Sequence, residues 1–382
     1  MPKLLFVSDA ISASTGLGRI TGDLAVRVHE HLGDVYRVAT AGYGGNGSVK
    51  YPFPQYHFHS ISNWLLPELP AIAADFAGDG ELNVMFVWDA SRLYWLGQPQ
   101  LCPDPALRRW VETAKIKKWL YGAIDAEGPF GRLPQRIADT CKGFDRVLDY
   151  SAFSSRITGN PDHLPHGIDT TVFKPYPRTE ARKRLIENGF VGLTPGSLLI
   201  GIVATNQARK NWPLAMETAR ILLDRGHDVR VWAHTDVISR HWDIGQLIVD
   251  WGLLERVGVT TSRFTDEQMA WTYSACDVTL SNAPEGFGFS PAESLACGVP
   301  TIAGSYGAQA EFVPKAMQVD PIAYFYEGAF CSKRPVHSAA AWASKVEKLL
   351  KNNYVGSLLP PHVDWSGPTL WPAWQKWFEE GL

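Results

Sequence analysis

Four apolar residues in a row, 4–7, give way to a polar, glycine-bearing stretch, 8–19, and then to Ile20, Leu24, Val28 and Leu32, which recur every four residues. A short unbroken apolar run suits a strand covered on both faces of a parallel sheet. The four-residue recurrence is the stripe of a helix with one buried side. The chain therefore opens as strand, loop and helix. Further strand-like runs at 35–39, 82–88, 119–124 and 146–148, with a helical segment at 106–116, continue the alternation. Alternation at this spacing predicts a doubly wound α/β sheet.

Residues 160–177 carry Pro161, Pro165, Pro175 and Pro177, as an interdomain linker would, and the pattern then restarts. An apolar strand at 198–204, a loop at 205–211 and a helix at 212–223 are closed by Gly226, before the next strand at 229–233. Helices at 242–251, 266–275 and 291–297 alternate with strands at 257–261, 278–281 and 299–303. The division read from this is a Rossmann-like domain, 1–165, a second Rossmann-like domain, 166–355, and a helical tail, 356–382. Trp371, Trp374 and Phe378 at helical spacing predict that the tail packs back on the body.

A chain of 382 residues exceeds one ordinary core, which agrees with two domains. With 45% hydrophobic and 20% charged residues it has the composition of a globular protein, and its net charge of -3 offers no overall attraction to nucleic acid or anionic lipid. Five cysteines without C-x-x-C spacing suggest neither a zinc site nor a disulfide framework. No run approaches the roughly 18 apolar residues of a membrane span, and no integral membrane association is expected. The opening apolar run is too short for a signal peptide, so a cytoplasmic location is expected.

The densest chemistry lies at Ser281-Asn282-Ala283-Pro284-Glu285-Gly286-Phe287-Gly288-Phe289-Ser290-Pro291-Ala292-Glu293, between a strand and a helix. Open α/β sheets bind ligands at the carboxyl ends of their strands. Gly286 and Gly288 permit close backbone approach, and the helix that follows offers its amides to a phosphate or a polar sugar. Glu285 and Glu293 can each accept hydroxyl hydrogen bonds. Ser290-Pro291-Ala292-Glu293 also has the form of a capping box, which would make Glu293 a helix-start residue. A second cluster, Arg209 and Lys210, follows the strand at 198–204, where an arginine fork and a lysine point charge suit a diphosphate.

The run Glu285 to Glu293, followed by Leu-Ala-Cys-Gly-Val-Pro-Thr-Ile-Ala, resembles the E-x7-E signature of family-4 retaining glycosyltransferases of the GT-B fold. Leu164-Pro165-His166-Gly167-Ile168-Asp169 and Gly307-Ala308-Gln309-Ala310-Glu311-Phe312 resemble the same family, and the likeness covers about residues 164–315. It implies two Rossmann-like domains about a central cleft, 1–165 for the acceptor and 166–355 for the nucleotide sugar, and a hexose moved from a nucleoside-diphosphate sugar, UDP above all, to an acceptor hydroxyl. Glu285 would clamp the donor sugar, Glu293 the ribose diol, and Arg209 with Lys210 would neutralise the leaving diphosphate. The family's arginine falls nearer Thr205, so Arg209 stands in for it. His166, Phe287, Gly286 and Gly288 complete the implied donor site, and Gly16 and Gly18 would close on the phosphates from the first domain. Asp89, Asp125 and Arg19 fall on the acceptor side. Neither a cofactor beyond the donor nor a metal is required.

A small molecule, a glycan or a hydroxymethylated base in DNA could each be the acceptor. The basic run at 108–118 is either a solvated helix face or a surface for an anionic acceptor. A sugar-nucleotide epimerase, a phosphorylase or a non-catalytic nucleotide-sugar binder would share the architecture.

Overall fold

The computed structural model describes residues 1–381 except 14, 46–49, 60, 62–63, 79, 191 and 329. The chain divides into two units, Met1–His166 with Trp371–Leu382, and Gly167–Leu370.

The first unit is built on a six-stranded sheet of β1 (Lys3–Asp9), β2 (Arg37–Tyr43), β3 (Gln55–Phe58), β4 (Leu82–Trp88), β5 (Ile116–Gly122) and β6 (Arg146–Asp149). Its strand order is β3-β2-β1-β4-β5-β6, and every pairing is parallel. Leu4, Leu5, Phe6 and Val7 are fully buried, as is all of β4 but its slightly exposed first two residues. The stripe Ile20, Leu24, Val28 and Leu32 forms the buried face of the helix Gly16–Leu32. That helix begins four residues earlier than a loop running to Arg19 allows. Thr15 caps it by accepting from the Gly18 amide at 3.1 Å. Ser14, which opens the glycine-bearing run, lies outside the described residues. The helix expected at 106–116 is shorter, Pro105–Thr113, because Ile116 already belongs to β5.

The helix Leu370–Glu379 lays the side chains of Trp374 and Phe378 into this first unit, and both are fully buried. The Trp374 indole donates to the Pro165 carbonyl at 3.1 Å, and the Tyr36 hydroxyl donates to the Phe378 carbonyl at 2.7 Å. Phe378 meets Phe6 edge-on at 6.3 Å, while the Arg146 guanidinium lies 4.0 Å from the Trp377 ring centre.

The second unit repeats the plan. Its sheet comprises β7 (Leu198–Val203), β8 (Val229–His234), β9 (Val257–Thr260), β10 (Val278–Ser281), β11 (Thr301–Gly304) and β12 (Gln318–Val319), in the order β12-β11-β10-β7-β8-β9. Read from the opposite edge this is the same order as in the first unit, again with parallel pairings throughout. Reversal of strand order between β7 and β10 opens a crevice at their carboxyl ends, the topological switch point of such sheets. A separate antiparallel hairpin, β13 (Ala323–Glu327) with β14 (Ser332–Val336), follows β12. Among the described residues no helix is long and apolar enough to cross a membrane.

Candidate active site

The loops after β7 and β10 leave neighbouring strands on either side of the switch point, and each is held by a buried amide side chain. Asn206, fully buried, donates from Nδ2 to the carbonyls of Val237, Ile238 and Trp242 at 3.2, 3.1 and 2.7 Å. Its Oδ1 accepts from the Trp242 amide at 3.0 Å. The Trp242 indole in turn bonds the carbonyls of Gln207 and Ala208. A single turn of 3-10 helix, Ala208–Lys210, is thereby fixed in front of the helix Trp212–Asp224. Asn211 joins the two in the left-handed region, with φ of 44°.

Gln309 does the same for the loop after β10. Its Nε2 donates to the carbonyls of Ala283 and Tyr306, and its Oε1 accepts from the Glu285 amide at 2.9 Å. The Glu285 carbonyl accepts from the Ala308 amide at 3.0 Å, so the residue is pinned on both sides. Gly307 has to be glycine here. Its φ is 110°, and a Cβ would sit 2.6 Å from Gln309 Oε1 and 3.0 Å from Pro284. Nothing in the local spacing of the sequence singles out Gln309, because only the fold reveals what a buried amide bonds.

These two loops bring Arg209, Lys210 and Glu285 together. Lys210 Nζ bonds Glu285 Oε1, and Arg209 NH1 lies 3.4 Å from Glu285 Oε2 and donates to the Pro284 carbonyl at 3.0 Å. The three side chains are 23%, 11% and 17% exposed, in that order, enough to meet a ligand while restricting water. Two cations with one carboxylate leave a net positive charge at the switch point, which suits a polyanion.

Phe287 is buried against Phe289 and Phe312 and anchors the loop. Gly288, at φ of 107°, is the N-cap of the helix Phe289–Ala296. The capping box read at Ser290 is therefore not formed. The helix starts one residue before Ser290, and no side chain caps it. Glu293 instead accepts from the Tyr273 hydroxyl at 2.8 Å, buried inside the unit.

The remaining expected residues belong to the first unit. Gly16, Gly18 and Arg19 lie in the first turn of a helix rather than in a loop, and a Cβ on Gly18 would come 2.5 Å from the Ala10 carbonyl oxygen. Close packing accounts for that glycine. His166 is fully buried with Nε2 3.1 Å from Asp23 Oδ2. Burial lowers the pKa of its ring, against the opposing pull of Asp23. Asp89 accepts from the Ser91 amide at 2.9 Å and caps a short turn after β4, while Asp125 is half-buried after β5.

The basic run at 108–118 does not form one cationic face. Arg108 turns onto the Cys102 carbonyl, and Lys117 and Lys118 sit on β5 rather than on the helix. Lys118 Nζ donates to the Leu96 carbonyl at 3.2 Å, and burial lowers its pKa.

Residues 246–359 match the family model for glycosyl transferases group 1, a stretch that contains Glu285, Glu293 and Gln309. The lipopolysaccharide core biosynthesis mannosyltransferase LpsB of Rhizobium meliloti is 31% identical over 157 residues, which cover 39% of this chain and 41% of that protein. A GDP-mannose-dependent monoacylated alpha-(1-6)-phosphatidylinositol monomannoside mannosyltransferase of Corynebacterium glutamicum is 30% identical over 188 residues, 44% of this chain and 43% of that protein. The matches thus span less than half the length of these relatives.

Among solved structures, sucrose-phosphate synthase from Thermosynechococcus elongatus superposes with a TM-score of 0.66 at 15% identity, over 92% of this chain and 90% of that one. Anabaena Alr3699/HepE, in complex with UDP and glucose, gives 0.66 at 13% identity over the same shares. At such identities the likeness is one of fold. Two Rossmann-like units of identical strand order, with the switch-point loop and helix of the second lying in the segment that matches the glycosyl transferases group 1 model, make this chain a protein of the GT-B fold.

Proposed function

We propose that the chain is a retaining glycosyltransferase that moves a hexose from a UDP-hexose to an acceptor hydroxyl. The observation that carries this reading is the convergence of Arg209, Lys210 and Glu285 at the switch point of the second sheet. Arg209 and Lys210 hold the donor diphosphate, and Glu285 turns from its cations to the hydroxyls of the sugar. Glu293 holds the ribose diol. In the reaction the bond from the anomeric carbon to the β-phosphate oxygen breaks, and the acceptor oxygen bonds to that carbon on the same face. The departing phosphate oxygen takes the acceptor's proton, so no separate base is needed. The protein's contribution is electrostatic, since charge grows on the phosphate as the bond breaks. A GDP-mannose donor is the second reading, favoured by the two mannosyltransferase relatives.

Incubation with UDP-hexoses and with GDP-mannose, followed by nucleoside diphosphate and anomeric analysis, tests the reading. Transfer with the donor's anomeric configuration kept is expected. Inversion, or no transfer from any of these donors, overturns it. Because two side-chain cations meet the leaving charge, turnover is expected to be unaltered by excess chelator, and a rate restored only by added metal would oppose this.

Glu293→Gln is expected to weaken donor affinity by about 10- to 100-fold, since a hydrogen bond to a charged group contributes roughly 1.5–3 kcal/mol. Its amide still accepts from Tyr273, so the melting temperature should hold. A fall in melting temperature with intact donor affinity would assign Glu293 to the fold alone.

A further inference from the structure

The carboxyl ends of β1, β4 and β6 carry Asp9, Asp89 and Tyr150, and Asp125 lies three residues beyond the end of β5, these four strands being successive neighbours in the first sheet. Adjacent strands lie about 4.8 Å apart, so the residues at the strand ends form a row along one rim. Each of two carboxylates is oriented by one bond. Asp9 Oδ2 accepts from the Thr15 hydroxyl at 2.7 Å, and Asp89 Oδ1 accepts from the Ser91 amide at 2.9 Å. Neither bond uses the second oxygen.

Tyr150 is 2% exposed, its ring lies against that of Tyr121 with centroids 4.0 Å apart and planes tilted by 41°, and its hydroxyl has no hydrogen-bond partner among the described residues. Burial raises its pKa strongly, and the charges of Asp9 and Asp89 raise it further, so it stays a neutral donor within their field. An orphaned buried hydroxyl is costly, and it persists where something outside the protein completes it.

Two cations of this unit are engaged elsewhere. Arg156 pairs with Glu127 at 3.2 Å, and Arg92 lies 4.0 Å from the Trp64 ring centre. Among the described residues no three acidic, histidine or cysteine side chains converge as a metal site.

We infer that this rim is the acceptor platform and that it selects an uncharged or cationic sugar with free hydroxyls over any phosphorylated or carboxylated acceptor. Carboxylate oxygens accept from sugar hydroxyls and Tyr150 donates to one, while the same carboxylates repel an anion. DNA and sugar phosphates are thereby disfavoured as acceptors. The inference rests on the transferase reading of the second unit, although binding at the rim is measurable without turnover.

The test is ligand-observed NMR titration of the full chain with methyl α-glucoside and methyl α-mannoside, each against its 6-phosphate. At least one neutral glycoside is expected to bind tenfold or more tightly than its phosphate. The double variant Asp9→Asn, Asp89→Asn should weaken that glycoside at least tenfold and narrow its advantage over the phosphate. Tyr150→Phe should weaken it too, with a melting temperature that holds or rises.

A phosphate that binds as well as the neutral glycoside overturns the inference, as does failure of both glycosides to bind or indifference to the variants. A drop in melting temperature on Tyr150→Phe would show that the hydroxyl serves the fold, and would likewise overturn it. UDP and GDP titrated into the same wild-type sample report on the donor reading separately. Glycoside binding without nucleotide binding would sink that reading while leaving in place only the rim's preference for a neutral sugar.

Discussion

Lys210→Ala is expected to lower kcat by about 100- to 1000-fold, the usual cost of removing one group that stabilises charge developing in a transition state. Its effect on donor KM should be much smaller. The bound diphosphate already shares its charge with Arg209, whereas the new charge arises only as the anomeric bond breaks, and an interaction made mainly then appears in kcat. The variant should also fold. Glu285 keeps its contact with Arg209 at 3.4 Å and its two backbone anchors, so no carboxylate is left buried and alone. Steady-state kinetics with saturating acceptor would decide the matter. An increase in KM with unchanged kcat would place Lys210 in ground-state binding and remove it from the chemistry.

The second large effect is structural. Phe378→Ala should destabilise the first unit by about 3–5 kcal/mol, the range for emptying a buried aromatic site. Phe378 is fully buried between Phe6 on β1, Tyr36 just before β2 and Trp374 on its own helix. The loss should be confined to one unit, because residues 167–370 form their own compact body. Hydrogen exchange resolved by segment is the appropriate measurement. Protection should fall across β1, β2 and β5 and persist in β7, β8 and β10. Equal loss in both units would mean that they unfold as one.

The sequence exposed the sheets because buried parallel strands leave continuous apolar runs. Leu82–Trp88 and Val278–Ser281 agree to the residue. The edges escaped for the complementary reason. Gln55–Phe58 is half-buried and mixed in polarity, and Gln318–Val319 is two residues long, so neither leaves a run to read. The glycines at 16 and 18 lower helix propensity and hid the first turn, which Thr15 nonetheless caps.

At Ser290 a local motif met a stronger tertiary constraint. Gly288, wedged beside Pro291 and Gln309, starts the helix early, and Glu293 is drawn to Tyr273. The charged trio was legible as two separate clusters, one after each strand. Their meeting was not, because it depends on which strands adjoin. The spacing of Trp374 and Phe378 predicted a buried helical face, yet an amphipathic stripe does not specify whose core it enters.

That last point governs the order in which the molecule can be completed. Tyr36 and Phe378 bond across 342 residues of chain. During synthesis the strands of the first unit emerge well before the helix that covers them, while residues 167–370 carry everything their own body uses. Until the helix Leu370–Glu379 arrives, Phe6, Tyr36 and Trp119 lack their aromatic cover. The unit made first is therefore finished last, and during that interval it exposes apolar surface of the kind chaperones bind. Pulse-labelled exchange on chains ending after residue 370 should find β7, β8 and β10 protected and β1, β2 and β5 still open, and full protection of β1 at that length would refute this order.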